Sequence, residues 1–544
     1  MNNGRRWQIT AVVTLGLFMA ILDNSIVSVA LPQMEDAFHT TYQTITWVAT
    51  AYFLAQAAVI PIVGYLCDRI GTKIVFLVAL ILFTLGSACC ALSPTKEILI
   101  ASRIFQGIGG GALLPVAFAI VYRIFPPADR GKLTAVIGIP VIMAPAFGPT
   151  IGGYLSTTFD WSAIFTVNLP IGLIALILGF LTLPGFKAEQ EQNDIEEAFE
   201  ESTLGDAIVF EKTPRKKRFD IVGLVLSMVG FSVLSYGISE AATDGWGSGT
   251  VLTYIAIGAV VLVAFIIVEM IVSDPVMDLR LFKNYTFTIS NILMWVVTAV
   301  LFGGLFLLPL FFENVQGDSA LTAGEILISQ GLATGVGMAL SGILYNRVGP
   351  RILAVVGLLF VIAGTYGLTQ LNVGTTGQEL QLWLVFRGLG LGCLNTPLQT
   401  LALSVISNKA MAKASSLVSV MRQVSGAIGV AILTTYLTQQ TTTHATAIGN
   451  AIKAGLTTNQ FTGPALTCVR AAGPTLNQAL VRSCVSQYAI TNGLTDTFLV
   501  ILIACSASII LALIVGRDPA IAAYNEAKAR GEDVKLERQA VMSE

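Results

Sequence analysis

Asp23 is the first residue of this sequence that could carry chemistry, because it interrupts a long apolar run. It lies nine residues before Pro32, so at about 1.5 Å per residue it is roughly 14 Å from the end of a helix formed by residues 8–31. A carboxylate at that depth could bind a cation, or take up and release a proton. The alternative is a neutral, hydrogen-bonded aspartate that caps a local irregularity of the chain.

Arg103 is the second candidate, since it lies six residues into the apolar run 98–124. A charge inside such a run costs about 2.5–3.5 kcal/mol to insert into a membrane, and it is tolerated mainly where it faces a cavity or a partner. The alternative is an arginine that extends its long side chain to the surface.

Two further acids lie at the ends of predicted spans. Glu313 follows the run 287–312, and Glu325 lies near the start of the run 322–345. Together they could attract cationic substrates or bind a second proton. Equally, they could be exposed acids at two helix ends.

The sequence has no arrangement of residues that is typical of an enzyme. Its only two histidines, His39 and His444, fall in predicted loops, so we expect no histidine-based metal site or nucleophile. It has no GxxxxGK[ST] motif that would hold the phosphates of ATP. We therefore expect no cofactor, and an ion gradient as the energy source.

The composition indicates an integral membrane protein. Hydrophobic residues make up 54% of the chain and charged residues 12%, whereas a soluble domain has about 25% charged residues. The mean hydropathy is +0.75. The formal net charge of −2 excludes a nucleic-acid partner bound by bulk charge.

Fourteen apolar runs are long enough to cross a membrane, which needs about 20 residues. They cover residues 8–31, 45–66, 74–92, 98–124, 133–155, 162–183, 221–239, 251–271, 287–312, 322–345, 352–369, 382–406, 416–437 and 494–515. Between these runs and at their ends, 24 basic residues fall on one side and four on the other. The positive-inside rule therefore predicts a multi-pass protein of the cytoplasmic membrane with both termini in the cytoplasm.

The chain also contains an internal repeat. GYLCDRIGTK begins at Gly64 and GILYNRVGPR begins at Gly342, an offset of 278 residues. Two runs later in each copy, QGIGGG from Gln106 is matched by RGLGLG from Arg387. Repeats of this kind build many secondary transporters, with a binding site between the two halves.

The repeat predicts an all-α membrane fold of two six-helix halves with two additional helices between them. The N-terminal half covers residues 1–183 and the C-terminal half residues 285–516, which include a predicted outward loop at 438–493. Between the halves we expect a charged cytoplasmic linker (184–219) and two inserted helices (220–272). Residues 517–544 form a predicted cytoplasmic tail.

The predicted outward loop contains two of the seven cysteines, Cys468 and Cys484. A pair of cysteines that faces an oxidising compartment could form a disulfide. The alternative is two free thiols in a poorly ordered loop.

Five motifs resemble those of the major facilitator superfamily, and specifically of its fourteen-helix, QacA/EmrB-type drug:proton antiporters. In chain order they are LDNSIVSVALP from Leu22, GYLCDRIGTK from Gly64, RIFQGIGGG from Arg103, GPTIGG from Gly148 and WSAIFTVNLPIG from Trp161. The family's usual threonine two residues after the first-helix aspartate is Ser25 here. A family glutamine at the outer end of helix nine is replaced by Glu313, which bears on the substrate class.

The resemblance implies roles for named residues. It implies that Asp23 and Arg103 couple transport to protons, and that a helix-five motif limits leak through the empty carrier; the members of that motif are Pro145, Gly148, Pro149, Gly152 and Gly153. Separately, we expect Asp68 and Arg69 to form a charge-and-cap network with helix ends that holds the outward-facing state. We assign both loop motifs to the gate; their residues are Gly64, Asp68, Arg69, Gly71, Lys73, Gly342, Arg347, Gly349 and Arg351.

The function that we predict is export of amphipathic, cationic or lipophilic compounds in exchange for protons. Its partners would be small-molecule substrates, protons and membrane lipids, with a periplasmic adaptor as an open question if the cell has two membranes. One alternative is a dedicated exporter of a single metabolite or lipid on the same scaffold. Another is a membrane sensor or scaffold that transports nothing.

Overall fold

The computed structural model describes residues 3–125, 130–185, 220–245, 247–272, 275–318, 320–407, 410–458, 463–471 and 478–516. Within these residues the regular structure is helical. The first helices are α1 (Asn3–Ala37), α2 (Tyr42–Ile45), α3 (Trp47–Ile70), α4 (Thr72–Ala91), α5 (Lys96–Ile124), α6 (Arg130–Thr158), α7 (Ala163–Thr166) and α8 (Asn168–Thr182). They are followed by α9 (Ile221–Asp244), α10 (Gly249–Ile271), α11 (Tyr285–Phe311), α12 (Ala320–Val348), α13 (Pro350–Leu368), α14 (Gly377–Ser404), α15 (Met411–Thr458), α16 (Gly463–Ala471) and α17 (Gln478–Ile514).

The helices make this a multi-pass membrane protein, as the composition predicts. Twelve of the described helical segments are long and apolar enough to cross a membrane. The sequence predicts fourteen spans, and the two that are not among these twelve coincide with α6 and α14, helices of 29 and 28 residues. The all-helical fold is therefore confirmed, whereas the count of fourteen stays a prediction.

The stretch 438–493, predicted as a loop, is mostly helical in its described part, so that prediction is wrong. Helix α15 continues to Thr458 and is 48 residues long, which at about 1.5 Å per residue is more than twice the thickness of a bilayer core. The added turns are rich in threonine, and their hydroxyls donate to carbonyls four residues back, as Thr442 does to Thr438 at 2.9 Å. Two isoleucines of the extension, Ile448 and Ile452, pack against α16 and α17. A search for apolar runs misses such a polar helix.

Two predicted segments fall largely outside the described residues. The linker 184–219 is described only at its first two residues, and the tail 517–544 is not described.

The two copies of the sequence repeat pack in the same way. In the first copy a Cβ added to Gly107 on α5 would lie 2.6 Å from the carbonyl oxygen of Tyr52 on α3. In the second copy the matching Gly388 on α14 faces the carbonyl oxygen of Gln330 on α12, and Gln330 lies 278 residues after Tyr52. Glycine is needed at both positions because the backbones approach too closely for a side chain.

The helices of the two copies meet at one end of the bundle, which we call the motif end because it carries the turns at Gly71 and Gly349. There Ser415 and Ser416 at the start of α15 donate to the carbonyl oxygens of Pro115 and Ile60 at 3.0 and 2.5 Å. A further contact joins α14 to α6, where the hydroxyls of Thr400 and Thr134 lie 2.8 Å apart. These contacts close the motif end between the two copies.

Candidate functional site

Asp23 lies at the centre of a buried polar network inside the first copy. Its Oδ2 accepts from Nη1 of Arg103 at 2.6 Å. Its Oδ1 accepts from the side-chain amides of Gln106 at 3.0 Å and Asn168 at 2.6 Å. All four residues are 0% exposed. Both oxygens of the carboxylate are thus held by charge-assisted hydrogen bonds, which are stronger than neutral ones.

Three helices position this network. Asp23 lies midway along α1, Arg103 and Gln106 lie about one turn apart on α5, and Asn168 is the first residue of α8. The close packing of α4 against α5 holds the backbone at Gln106 in place. A Cβ added to Gly86 on α4 would lie only 2.6 Å from the Cα of Gln106. The network therefore depends on close helix packing at a glycine as well as on the polar residues.

Arg103 has further partners that keep its guanidinium inside the bundle. Its Nε donates to the carbonyl oxygen of Val48 at 3.0 Å, and its Cζ lies 4.1 Å from the centre of the Tyr52 ring. The ring of Phe165 lies 5.6 Å away on another side. The structure thus places Arg103 against an acid and two aromatic rings, and not at the surface.

The network is incompletely satisfied. Nη2 of Arg103 and Oδ1 of Asn168 are buried and have no hydrogen-bond partner among the described residues. A buried ion pair is costly to break by removing one partner, by about 3–5 kcal/mol, because the other charge stays behind in an apolar surrounding. The ion pair of Asp23 and Arg103 can therefore separate at low cost only if the charge of Asp23 is removed, as protonation of its carboxylate would do.

Three members of the network had no role predicted from the sequence: Gln106, Asn168 and Ser87. Gln106 lies three residues after Arg103, so helical spacing places both on one face of α5 and could have indicated it. Asn168 donates to Ser87 at 3.1 Å, and Ser87 donates to the carbonyl oxygen of Phe165 at 2.9 Å. These contacts join segments some 80 residues apart, so local sequence patterns carry no signal for them.

The first loop motif links helix ends at the motif end. Asp68 accepts from Nη2 of Arg123 at 3.3 Å, and Arg69 donates to the Tyr65 hydroxyl at 2.8 Å. Nζ of Lys73 donates to the carbonyl oxygen of Leu183 at 2.9 Å. The turn between α3 and α4 uses the left-handed region at Gly71, with φ of +89°.

The second loop motif repeats part of this arrangement. Gly349 takes φ of +83°, and Arg351 donates through Nε and Nη2 to the carbonyl oxygen of Val515 at 3.0 and 2.9 Å. Arg351 thus binds the end of the last helix of its copy, as Lys73 binds the end of α8. Gly342 is buried and Arg347 is exposed.

The helix-five motif lies on α6, where it faces α1. A Cβ added to Gly148 would overlap the side chain of Ser25, and one on Gly152 would lie 2.9 Å from the carbonyl oxygen of Ile26. Gly153 has more space. The side chains of Pro145 and Pro149 lie outside the described residues.

Glu313 and Glu325 do not join the Asp23 network. Glu313 lies in a π-helical turn, Phe312–Gln316, and Glu325 lies in the second turn of α12, both at the end opposite to the motif end. Both side chains are exposed. A shallow cleft of about 750 Å³ opens nearby, between Val373 and Gln487, and neither glutamate lines it.

Cys468 and Cys484 form a disulfide in the structure, with their Cα atoms 5.4 Å apart. The bond joins α16 to the start of α17 inside a small apolar cluster. Nearby, Nε2 of His444 on α15 lies 2.7 Å from Oδ2 of Asp496 on α17. The two long helices are thus tied together beyond the bundle.

Arg387 is the second fully buried arginine, and its surroundings differ from those of Arg103. It donates to the carbonyl oxygen of Val300 at 2.7 Å and to Gln330 at 3.4 Å, and no acid pairs with it among the described residues. The two copies therefore share their packing but differ in charge at their centres.

Comparison with known proteins agrees with this fold. The family model of the Major Facilitator Superfamily matches residues 13–280 and 202–430. The chain is 34% identical over 433 residues to an uncharacterized MFS-type transporter, YhcA, of Bacillus subtilis, covering 80% of this chain and 77% of the relative. It is 33% identical over 457 residues to the multidrug resistance protein B homolog of Mycobacterium tuberculosis, covering 83% and 80%.

Solved structures show the same fold. The proton:xylose symporter XylE, bound to 6-bromo-6-deoxy-D-glucose, superimposes with a TM-score of 0.58 at 13% identity, covering 95% of this chain and 97% of the symporter. Proteins of this family are transporters, which agrees with the prediction that the chain is not an enzyme. By the family model, the relatives and the fold, the chain belongs to the major facilitator superfamily.

Proposed function

We propose that this transporter is a proton-coupled antiporter that exports amphipathic, cationic or lipophilic drugs by alternating access. The observation that carries the proposal is the fully buried pair of Asp23, midway along α1, and Arg103, about two turns from the start of α5. An ionisable group at such a depth is costly and is most often functional. The name of the Mycobacterium tuberculosis relative, a multidrug resistance protein, supports export of drugs.

The proposed mechanism uses one proton at Asp23. When the carboxylate is ionised, it holds Arg103, Gln106 and Asn168 through its two oxygens. A proton on either oxygen removes the negative charge and releases Arg103 from its ion pair. Substrate leaves outward on protonation, and return of the proton to the cytoplasm restores the network.

Contacts at the motif end support the alternating-access part of the proposal. If that end faces the cytoplasm, as its basic residues favour, closure by Ser415 and Ser416 corresponds to the outward-facing state. Both termini are then cytoplasmic, and the membrane is the cytoplasmic membrane. The gate would include the two loop motifs, with Lys73 and Arg351 as matching anchors of helix ends.

The remaining assignments follow from this orientation. Residues 1–183 and 285–516 are the two halves, joined by the linker 184–219 and the inserted helices 220–272, with 517–544 as a cytoplasmic tail. Glu313 and Glu325 face outward, where exposed acids attract cationic substrates or bind a second proton. The Cys468–Cys484 bond forms in the oxidising outer compartment. The proton gradient is the only energy source, so the transport cycle needs no cofactor.

The experiment is substrate-driven proton movement in proteoliposomes with an imposed pH gradient. Ethidium and a neutral lipophilic dye serve as probes, and wild type is compared with Asp23→Asn. We expect coupled exchange in wild type and its loss in the variant, with dye binding retained.

Three other outcomes would contradict the proposal. No proton movement with either dye, from correctly folded protein, would overturn the multidrug function. Exchange with only one chemical series would instead indicate a dedicated exporter. Proton exchange that survives Asp23→Asn would place the coupling site elsewhere.

A further inference from the structure

The inserted helices α9 and α10 end at the motif end in two buried acids. Asp220 is the N-cap of α9, where its Oδ1 accepts from the backbone N–H of Gly223 at 2.8 Å. Glu269 lies in the last turn of α10, and its two oxygens accept from the backbone N–H groups of Val276 and Met277 at 3.2 and 3.3 Å. Asp220 is 7% exposed and Glu269 is 2% exposed.

The two carboxylates face each other across Gly223. A Cβ built on Gly223 would contact Oδ2 of Asp220 and would lie 3.0 Å from Oε1 of Glu269. Both oxygens are within 3.0 Å of that single point, so they are at most twice that distance apart. Two carboxylates this close, both shielded from water, cannot both carry a full charge at low cost.

One oxygen of the pair lacks a partner. Oδ2 of Asp220 is buried and has no hydrogen-bond partner among the described residues. The other three carboxylate oxygens each accept from a backbone N–H group. The unpartnered oxygen and Oε1 of Glu269 lie beside the same point at Gly223, so a proton shared between them would give Oδ2 of Asp220 a hydrogen-bond partner.

The groups around the pair come from α3 and α15. The Tyr65 hydroxyl on α3 accepts from the Asp220 backbone N–H at 3.3 Å and from Arg69 at 2.8 Å. On α15, Nζ of Lys413 lies 5.9 Å from the centre of the Tyr65 ring. The cations near the pair among the described residues are thus the Lys413 ammonium and the Arg69 guanidinium, which is bonded to the Tyr65 hydroxyl.

We propose that Asp220 and Glu269 share one proton and form a second protonation site, separate from Asp23. The proton lies between Oδ2 of Asp220 and Oε1 of Glu269, bonded to one and donated to the other. It stabilises the packing of the inserted helices on Tyr65, next to the contact of α3 with α15 at Lys413. Release of the proton leaves two like charges buried together and weakens that packing.

Two conservative substitutions mimic the shared proton. In Asp220→Asn the side-chain oxygen still caps α9, and the amide can donate to Glu269. In Glu269→Gln one oxygen still accepts from the backbone, and the amide can donate to Asp220. Asp278→Asn is the matched control, because Asp278 is also an N-cap at the motif end, of the short 3-10 helix Leu279–Lys283, where its Oδ1 accepts from the backbone N–H of Arg280 at 3.1 Å.

The first measurement is the stability of the purified, full-length protein against pH. Free carboxyl groups release their protons near pH 4, so above that pH, for as long as the pair keeps its shared proton, the folded wild type holds a proton that the unfolded chain has lost. Stability therefore falls as pH rises, with the unfolding equilibrium changing by up to about tenfold per pH unit. We expect Asp220→Asn and Glu269→Gln each to remove this decline, and Asp278→Asn to retain it.

The second measurement is pH-difference infrared spectroscopy of the Asp23→Asn protein, which requires neither substrate nor transport. We expect a band from a protonated carboxyl group near neutral pH, and its loss when Glu269→Gln is added. Absence of the band, or equal pH dependence of stability in wild type and both amide variants, would overturn the proposal. The proposal would also be overturned if Na⁺ stabilised wild type more than choline does at fixed pH and this effect were lost in Glu269→Gln. In that case a cation, and not a proton, would bridge the pair.

Discussion

Single residues in the Asp23 network differ in what their removal leaves behind. Arg103 supplies the only positive charge that pairs with Asp23 in the described residues, whereas Gln106 and Asn168 supply neutral donors. Loss of an amide therefore weakens the hold on the carboxylate, but loss of the guanidinium leaves a buried charge without compensation.

The first prediction concerns the dependence of Arg103 on Asp23. Arg103→Ala should lower the free energy of unfolding by about 3–5 kcal/mol, because the carboxylate of Asp23 stays buried and unpaired. In an Asp23→Asn background the same substitution should cost much less, since no charge remains. Chemical unfolding in detergent of the four proteins of this double-mutant cycle measures the coupling. Equal costs in both backgrounds would show that the ion pair does not hold the network.

The sequence alone predicts the charged members of this site and misses its neutral members. Asp23 and Arg103 are found because a charge in an apolar run is conspicuous. Asn168 is one polar residue among many, and it lies 145 residues from Asp23 in the sequence, so only the fold shows that they are in contact. The sequence also gives no sign that Asp220 lies next to Glu269, since this depends on how α9 and α10 pack.

At the scale of the helices, glycine contacts set how closely α5 and α14 pack on their neighbours. A Cβ on Gly109 would lie 2.5 Å from the carbonyl oxygen of Ala79, and one on the matching Gly390 would lie 2.5 Å from that of Gly357. The atom in the way is backbone in both cases, so it cannot move aside without shifting a helix.

The second prediction follows from this geometry. Gly109→Ala and Gly390→Ala should each lower thermal stability, and by similar amounts, because each pushes apart an equivalent helix pair. Gly374→Ala is the control, since no atom lies within 4 Å of its added Cβ. Thermal unfolding in detergent measures all three. A variant at Gly109 or Gly390 that is as stable as Gly374→Ala would show that the close approach is dispensable.

Helices are well predicted where they are apolar and poorly predicted where they are polar. Each of the fourteen apolar runs overlaps a helix of the structure. The extension of α15 is not predicted, because its threonines and glutamines are typical of loops. In the structure it is a helix that packs against an apolar surface of α16 and α17.

At the scale of the whole molecule, closure of the motif end depends on the contact of α3 with α15. A Cβ on Gly64 would lie 2.7 Å from both the carbonyl oxygen of Ala412 and the Cα of Lys413. Gly64 begins the first loop motif, so the motif that links the helix ends also allows α3 to approach α15 closely.

The third prediction is that Gly64→Val holds the motif end open. Spin labels at Ile70 and Ile352, exposed positions at that end, should report a longer distance in this variant than in wild type, because the added side chain separates α3 from α15. Gly374→Val serves as the control. An unchanged distance distribution would mean that α3 and α15 do not form the gate.

The most direct test of proton coupling at Asp23 is proton release from purified protein in weakly buffered detergent on addition of ethidium. Wild type should release protons on binding the dye, and Asp23→Asn should bind the dye without releasing them, whereas Glu269→Gln should behave as wild type. Equal proton release by wild type and Asp23→Asn would contradict the account, because the exchanged proton would then belong to another group.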